Sequence, residues 1–122
     1  MLFRSNEALN LGGAVGRCPM NYAMSLIGGK WKMQILCSLN SGGTMRYNAL
    51  KKRIAGISNT VLAAALRELE ADGLVRREEY LEVPIRVEYT VTEAGREVVP
   101  ILEQLNAWAE RRMRQEAAHE NG

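Results

Sequence analysis

Acidic side chains are missing from about half of this 122-residue chain: no Asp or Glu occurs between Glu7 and Glu68. The same interval carries eight cations, Arg17, Lys30, Lys32, Arg46, Lys51, Lys52, Arg53 and Arg67, which the net charge of +2 conceals. Cations without counter-charges repel one another in a compact fold. A polyanionic partner is the economical explanation, and a solvated basic face is the plain alternative. Histidine is almost absent. His119 is the only one and lies in a polar tail, so a cysteine nucleophile would lack a base held on a scaffold, and the chain does not read as an enzyme. Cysteine is scarce too, since Cys18 and Cys37 are too few and wrongly spaced for structural zinc, and a cytosolic disulfide framework is not expected. Neither a metal nor a cofactor is expected. No apolar run approaches the ~20 residues that cross a bilayer, and the amino end lacks a basic stretch followed by an apolar block. A cytoplasmic protein with no membrane partner follows.

What is present suffices for one modest core, because 47% of the side chains are hydrophobic and a chain this short rarely builds two. Residues 1–17 read as an amino-terminal arm, with Leu2, Phe3, Leu9 and Leu11 apolar enough to dock, and available to a dimer interface. The main domain is expected over 18–114 and a polar tail over 115–122. Pro19 opens a short helix with Tyr22, Ala23 and Leu26 on one side, ended by Gly28 and Gly29. "KWKMQILCSLN" is apolar on more than one face, as a central helix would be. "SGGTMR" reads as a turn. "YNALKKRI" is a third helix with Tyr47, Leu50 and Ile54 inward, and "AGI" breaks before a fourth. "LVRREEYLEV" and "RVEYTV" are strand-like runs around Pro84, a two-stranded wing. Thr92 then caps a long helix over 92–114, which Pro100 is expected to kink.

Ser58 to Asp72 form the fourth helix, with Leu62, Ala65, Leu66 and Leu69 inward at helical spacing. Its charges run against the helix dipole: Glu68, Glu70 and Asp72 crowd the carboxyl end, while the first turn offers only Ser58, Asn59 and Thr60. An acid-free amino end suits phosphate, which backbone amides, Ser58 and Asn59 can face. The outward stripe is then Thr60, Ala63, Ala64 and Arg67, small side chains with one long donor able to bond guanine, while Thr60 or the alanine methyls touch thymine. The bland reading makes the alanines mere helix formers and pairs Arg67 with Glu68 or Glu70. Arg46, Lys51, Lys52 and Arg53, at and before the preceding helix, are the expected phosphate contacts. Lys30 and Lys32 flank Trp31 and read equally as a solvated face.

Helix, helix, helix-turn-helix, wing, helix is the layout of a winged helix-turn-helix domain: mainly α with a small β-wing and a carboxyl-terminal dimerisation helix. "CPMNYAMSLIGGKWKMQIL", "RYNALKKRIAGISNTVLAAALRELEADGLV" and "VPIRVEYTVTEAGR" resemble the HxlR-type, MarR-like regulators of bacteria, from Cys18 to about Trp108. The resemblance implies a homodimeric transcriptional regulator that binds a pseudo-palindromic operator in double-stranded DNA. It also implies that Arg86 reaches the minor groove or its phosphates, against pairing with Glu82 or Glu88 across the hairpin. The family commonly reads "VPPRVEY", where this chain has Ile85 in place of the second proline.

The last helix carries Val98, Ile101, Leu102, Leu105, Trp108 and Ala109 on one stripe, longer than one small domain can bury, and is expected to close the dimer. Cys18 stands before Pro19, at a helix amino end and beside Arg17, a setting typical of reactive thiols. In HxlR-type regulators a cysteine at this place serves some members as a sensor, which makes an oxidant or small electrophile the candidate effector; a small helix-start residue is the alternative. Cys37, within "MQILCSL", reads as a buried inert thiol, or as a resolving partner for the other subunit's Cys18. A winged helix that binds protein instead of nucleic acid is the remaining alternative.

Overall fold

Pro19 has its φ preset for a helix and no N–H to leave unsatisfied, so α1, Pro19–Ile27, starts there. It ends where the Gly28 N–H returns to the Met24 carbonyl at 2.7 Å. The computed structural model describes residues 18–121; the expected amino-terminal arm lies outside them. After α1 come α2 (Lys32–Gly42), β1 (Met45–Arg46), α3 (Tyr47–Arg53), α4 (Asn59–Ala71), β2 (Val75–Tyr80), β3 (Arg86–Val91) and α5 (Glu93–Asn121).

α2 packs against α3, α4, α5 and β3, and Ile35, Leu36 and Leu39 are buried along it. They meet Leu50 from α3, Ile54 and Ile57 from the turn after it, Leu62, Leu66 and Leu69 from α4, and Val75 and Tyr89 from the sheet. Full burial of each such aliphatic side chain contributes roughly 1.5–3 kcal/mol. Gly56 has φ 82°, a left-handed conformation that a side chain disfavours, and it turns the chain between α3 and α4.

The wing differs from expectation. "SGGTMR" is not only a turn, because Met45 and Arg46 pair with Tyr89 and Glu88, giving a three-stranded antiparallel sheet in the order β1-β3-β2. The Thr44 and Thr90 hydroxyls, 2.9 Å apart, extend that seam. β2 and β3 pair in continuous register from Val75 opposite Val91 to Tyr80 opposite Arg86.

Thr92 caps α5 as expected: its Oγ1 accepts from the Gly95 N–H at 3.2 Å and donates to the Gly73 carbonyl at 2.7 Å. α5 is helical on both sides of Pro100. The tail expected from 115 is not a separate segment, since the helix continues through Asn121 and carries His119 on it. On α1 the buried side chain is Ile27, whereas Tyr22 is exposed. The inward face is Ala23 and Leu26, both half-buried as expected, with Ile27 beside them.

Candidate nucleic-acid interface

α4 begins with a cap supplied by Ser58, whose Oγ accepts the Val61 N–H at 3.1 Å. No acid stands in its first turn. Leu62, Ala65, Leu66 and Leu69 are buried as the spacing requires, which turns Thr60 and Arg67 to solvent with Ala63 and Ala64 half-buried between them. Val61 is also exposed and borders this stripe; its three-residue spacing to Ala64 was the signal that could have included it. The Tyr47 hydroxyl of α3 lies 3.1 Å from the Asn59 carbonyl and 3.2 Å from Asn59 Oδ1. It thereby fixes the start of one motif helix against the start of the next.

The cations of the acid-free interval separate into two groups. Lys32 is largely buried and bonds Glu68 at 2.7 Å, so the carboxyl end of α4 supplies the counter-charge that the local sequence lacks. That hydrogen bond, reinforced by the Lys32 charge, holds the Glu68 carboxyl below its ordinary range. Lys30 lies 4.7 Å from the centre of the Trp31 ring. Arg53 donates to the Ser38 carbonyl at 3.0 Å and braces α2. Arg46, Lys51, Lys52 and Arg67 enter no ion pair among the described residues. Arg67 thus pairs with neither Glu68 nor Glu70.

Arg46 and Lys52 line an open groove of about 730 Å³ between α3 and the wing, together with Asn48, Ile85, Arg86 and Val87. Asn48 is exposed there and was not foreseen, since nothing in its immediate sequence marks it. Arg86 follows the alternative reading: it pairs with both Glu82, at 2.8 Å, and Glu88, at 3.0 Å.

Along α5 the expected stripe divides. Leu102 is buried in the protomer's own core and Val98 is half-buried, joined by buried Val99, which the stripe left out. Ile101, Leu105, Trp108 and the unforeseen Met113 are exposed, as are Met20 and Met24 of α1. Ala109 is half-buried. Cys18 is half-buried immediately before α1, and its carbonyl accepts the Tyr22 N–H at 2.9 Å. Cys37 is half-buried beside Glu103, Leu102 and Leu105; burial first, and the Glu103 charge second, push its thiol above the ordinary value. Among the described residues no cluster of His, Cys, Asp and Glu could hold a metal ion, and no helix is long and apolar enough to cross a membrane.

A capped helix with an acid-free, small-residue outer face, uncommitted cations beside it and a hairpin flanking it can lie against a duplex. The chain is similar to known transcriptional regulators. Residues 26–117 match the HxlR-like helix-turn-helix family. The HTH-type transcriptional regulator YdzF of Bacillus subtilis is 42% identical over 92 residues, covering 75% of this chain and 84% of YdzF. A regulator of the same type from Halalkalibacterium halodurans is 48% identical over 90 residues, covering 74% and 80%. The redox regulator HypR in its oxidised form superposes with a TM-score of 0.72 at 41% identity, covering 77% of this chain and 96% of HypR.

Proposed function

This chain belongs to the HxlR-like helix-turn-helix family of transcriptional regulators, and from that premise we propose that it binds a pseudo-palindromic operator in double-stranded DNA as a homodimer. α4 is the recognition helix. Its amino end, with Ser58, Asn59 and the backbone amides, faces phosphate, while Thr60, Ala63, Ala64 and Arg67 meet base edges in the major groove. Arg46, Lys51 and Lys52 contact the flanking backbone, together with Arg53, which lines the same groove while bonding the Ser38 carbonyl of α2. The observation that carries this reading is the capped amino end of α4, free of acids and beside uncommitted cations. The exposed part of the α5 stripe, Ile101, Leu105 and Trp108, closes the dimer with Ala109.

Cys18 is the proposed thiol switch, answering an oxidant or small electrophile. Two observations support it: its place at the start of α1, and the likeness to the redox regulator HypR described above. Modification there shifts α1, whose Ala23, Leu26 and Ile27 lie beside Ala94, Val98 and Ile101 of α5, and thereby the spacing of the two recognition helices.

The test is footprinting on genomic fragments at about 50 to 200 mM salt, with and without diamide, for wild type and Cys18→Ser. Protection of a two-fold site that weakens steeply with salt, and that diamide changes only in wild type, is the expected result. Binding indifferent to salt removes the DNA reading. An equal response of both proteins to diamide, or none from either, removes Cys18 as the switch.

A further inference from the structure

Arg86 opens β3 directly opposite Tyr80, the last residue of β2. Its guanidinium lies 4.1 Å from the centre of the Tyr80 ring. One terminal nitrogen donates to Glu82 in the hairpin loop at 2.8 Å and the other to Glu88 on its own strand at 3.0 Å. Its Nε is buried and has no partner. One cation is thus held by two carboxylates and an aromatic face, in contact with the end of β2, the loop and β3 together. Arg is suited to such a place because its planar fork can bond two acids while it stacks. A phosphate could engage this side chain only in competition with two carboxylates that already hold its charge and both terminal nitrogens.

The loop that Arg86 holds presents a different surface from the rest of the basic face. Residues 81–85 contain one charge, Glu82, which Arg86 neutralises. Leu81, Val83 and Ile85 are exposed, Val83 completely. Ile85 also lines the groove that Arg46 and Lys52 share with the wing, so this apolar tip continues the cationic surface and is not a patch apart. Apolar side chains pressed against the minor groove are a general mode of contact with DNA.

We propose that Arg86 is a positioning residue of the wing and not a DNA contact: it locks the hairpin so that the uncharged tip, Val83 and Ile85, packs into the minor groove beside the site of α4. This rests on the operator-binding reading above. The wing then adds shape-dependent contact without displacing counterions, while the salt dependence of binding comes from α3 and α4.

The experiment is fluorescence anisotropy with a duplex selected by the wild-type protein from a random-sequence library, titrated at several KCl concentrations from about 50 to 200 mM. If wild type selects no duplex, the operator reading falls, and this inference with it, before any variant is made. With a selected duplex in hand, Arg86→Lys is expected to bind about tenfold more weakly, because an ammonium keeps the charge but loses the fork. Arg86→Gln is expected to weaken binding while leaving the salt slope at the wild-type value. Val83→Ser, at a fully exposed position where the fold is not at stake, is expected to cost about tenfold at unchanged slope. Full affinity in Arg86→Lys, a slope reduced by about one in Arg86→Gln, or unchanged affinity in Val83→Ser each overturns the proposal. Should the Arg86 variants fail to fold, Val83→Ser decides alone.

Discussion

Lys32 and Glu68 are thirty-six positions apart and form the shortest ion pair of the chain's described residues, at 2.7 Å. They join the first residue of α2 to the last turn of α4. The sign of their pH dependence follows from the lowered Glu68 pKa: the native state binds its proton less readily than the unfolded chain, so the stabilisation is present above the ordinary carboxylate range and is lost as pH falls through the lowered value. Lys32→Met should therefore lower the unfolding temperature near neutral pH, and the gap to wild type should close below pH about 4. Thermal unfolding measured across that range checks it; a gap that persists unchanged in acid would show that Lys32 acts by packing alone. At this scale the sequence was legible for types and opaque for partners. The acid-free interval was plain to read, and Glu82 and Glu88 stood close enough to Arg86 to be named as its partners, but Lys32 and Arg53 find theirs through the fold. For Lys32 and Arg53 those partners lie on other elements, at separations that no local pattern announces. Arg67 forms no ion pair among the described residues, and its outward position on α4 was legible from the helical spacing alone.

The elements themselves were largely readable, because each carries its own local cause. Pro19 starts α1, Ser58 caps α4, Gly73 ends it, and Thr92 caps α5. β1 was not readable. Two residues have no periodicity, and Met45 and Arg46 become a strand only because β3 offers them an edge. The junction of β2 and α5 shows how closely such elements meet: a Cβ at Gly95 would collide with the Leu74 carbonyl and with the Val91 side chain. Backbone cannot yield as a long side chain does. Gly95→Ala, though it favours helix by intrinsic propensity, should destabilise the domain by about 1–3 kcal/mol. Chemical denaturation reads this as a lower midpoint at unchanged slope; a variant as stable as wild type would mean that α5 can move off the sheet without cost.

For the whole molecule the question is what covers α5. At 29 residues it is the longest element and extends roughly 43 Å at the rise of an α-helix. Its first third packs on the domain through Val98, Val99 and Leu102, yet from residue 103 to 120 no side chain is buried, while Leu105, Trp108 and Met113 stand exposed. A single domain leaves that apolar surface to water, whereas a two-fold pair can cover it by apposing the same stripe, aided by the exposed Met20 and Met24 of α1. Such a pair would offer two copies of α4 to half-sites one turn apart, ~34 Å. Trp108 is the side chain to change, since a large aromatic near the middle of such an interface carries a large share of its energy, at least about 2 kcal/mol. Trp108→Glu should leave the protomer folded, because Trp108 is exposed in it. It should sediment as a monomer at micromolar concentration and lose tight binding to a two-fold site while keeping weak, salt-sensitive attraction to any duplex. If the variant still sediments as a dimer, the interface lies elsewhere than on the far half of α5. If a monomer protects the full two-fold site, recognition does not depend on pairing at all.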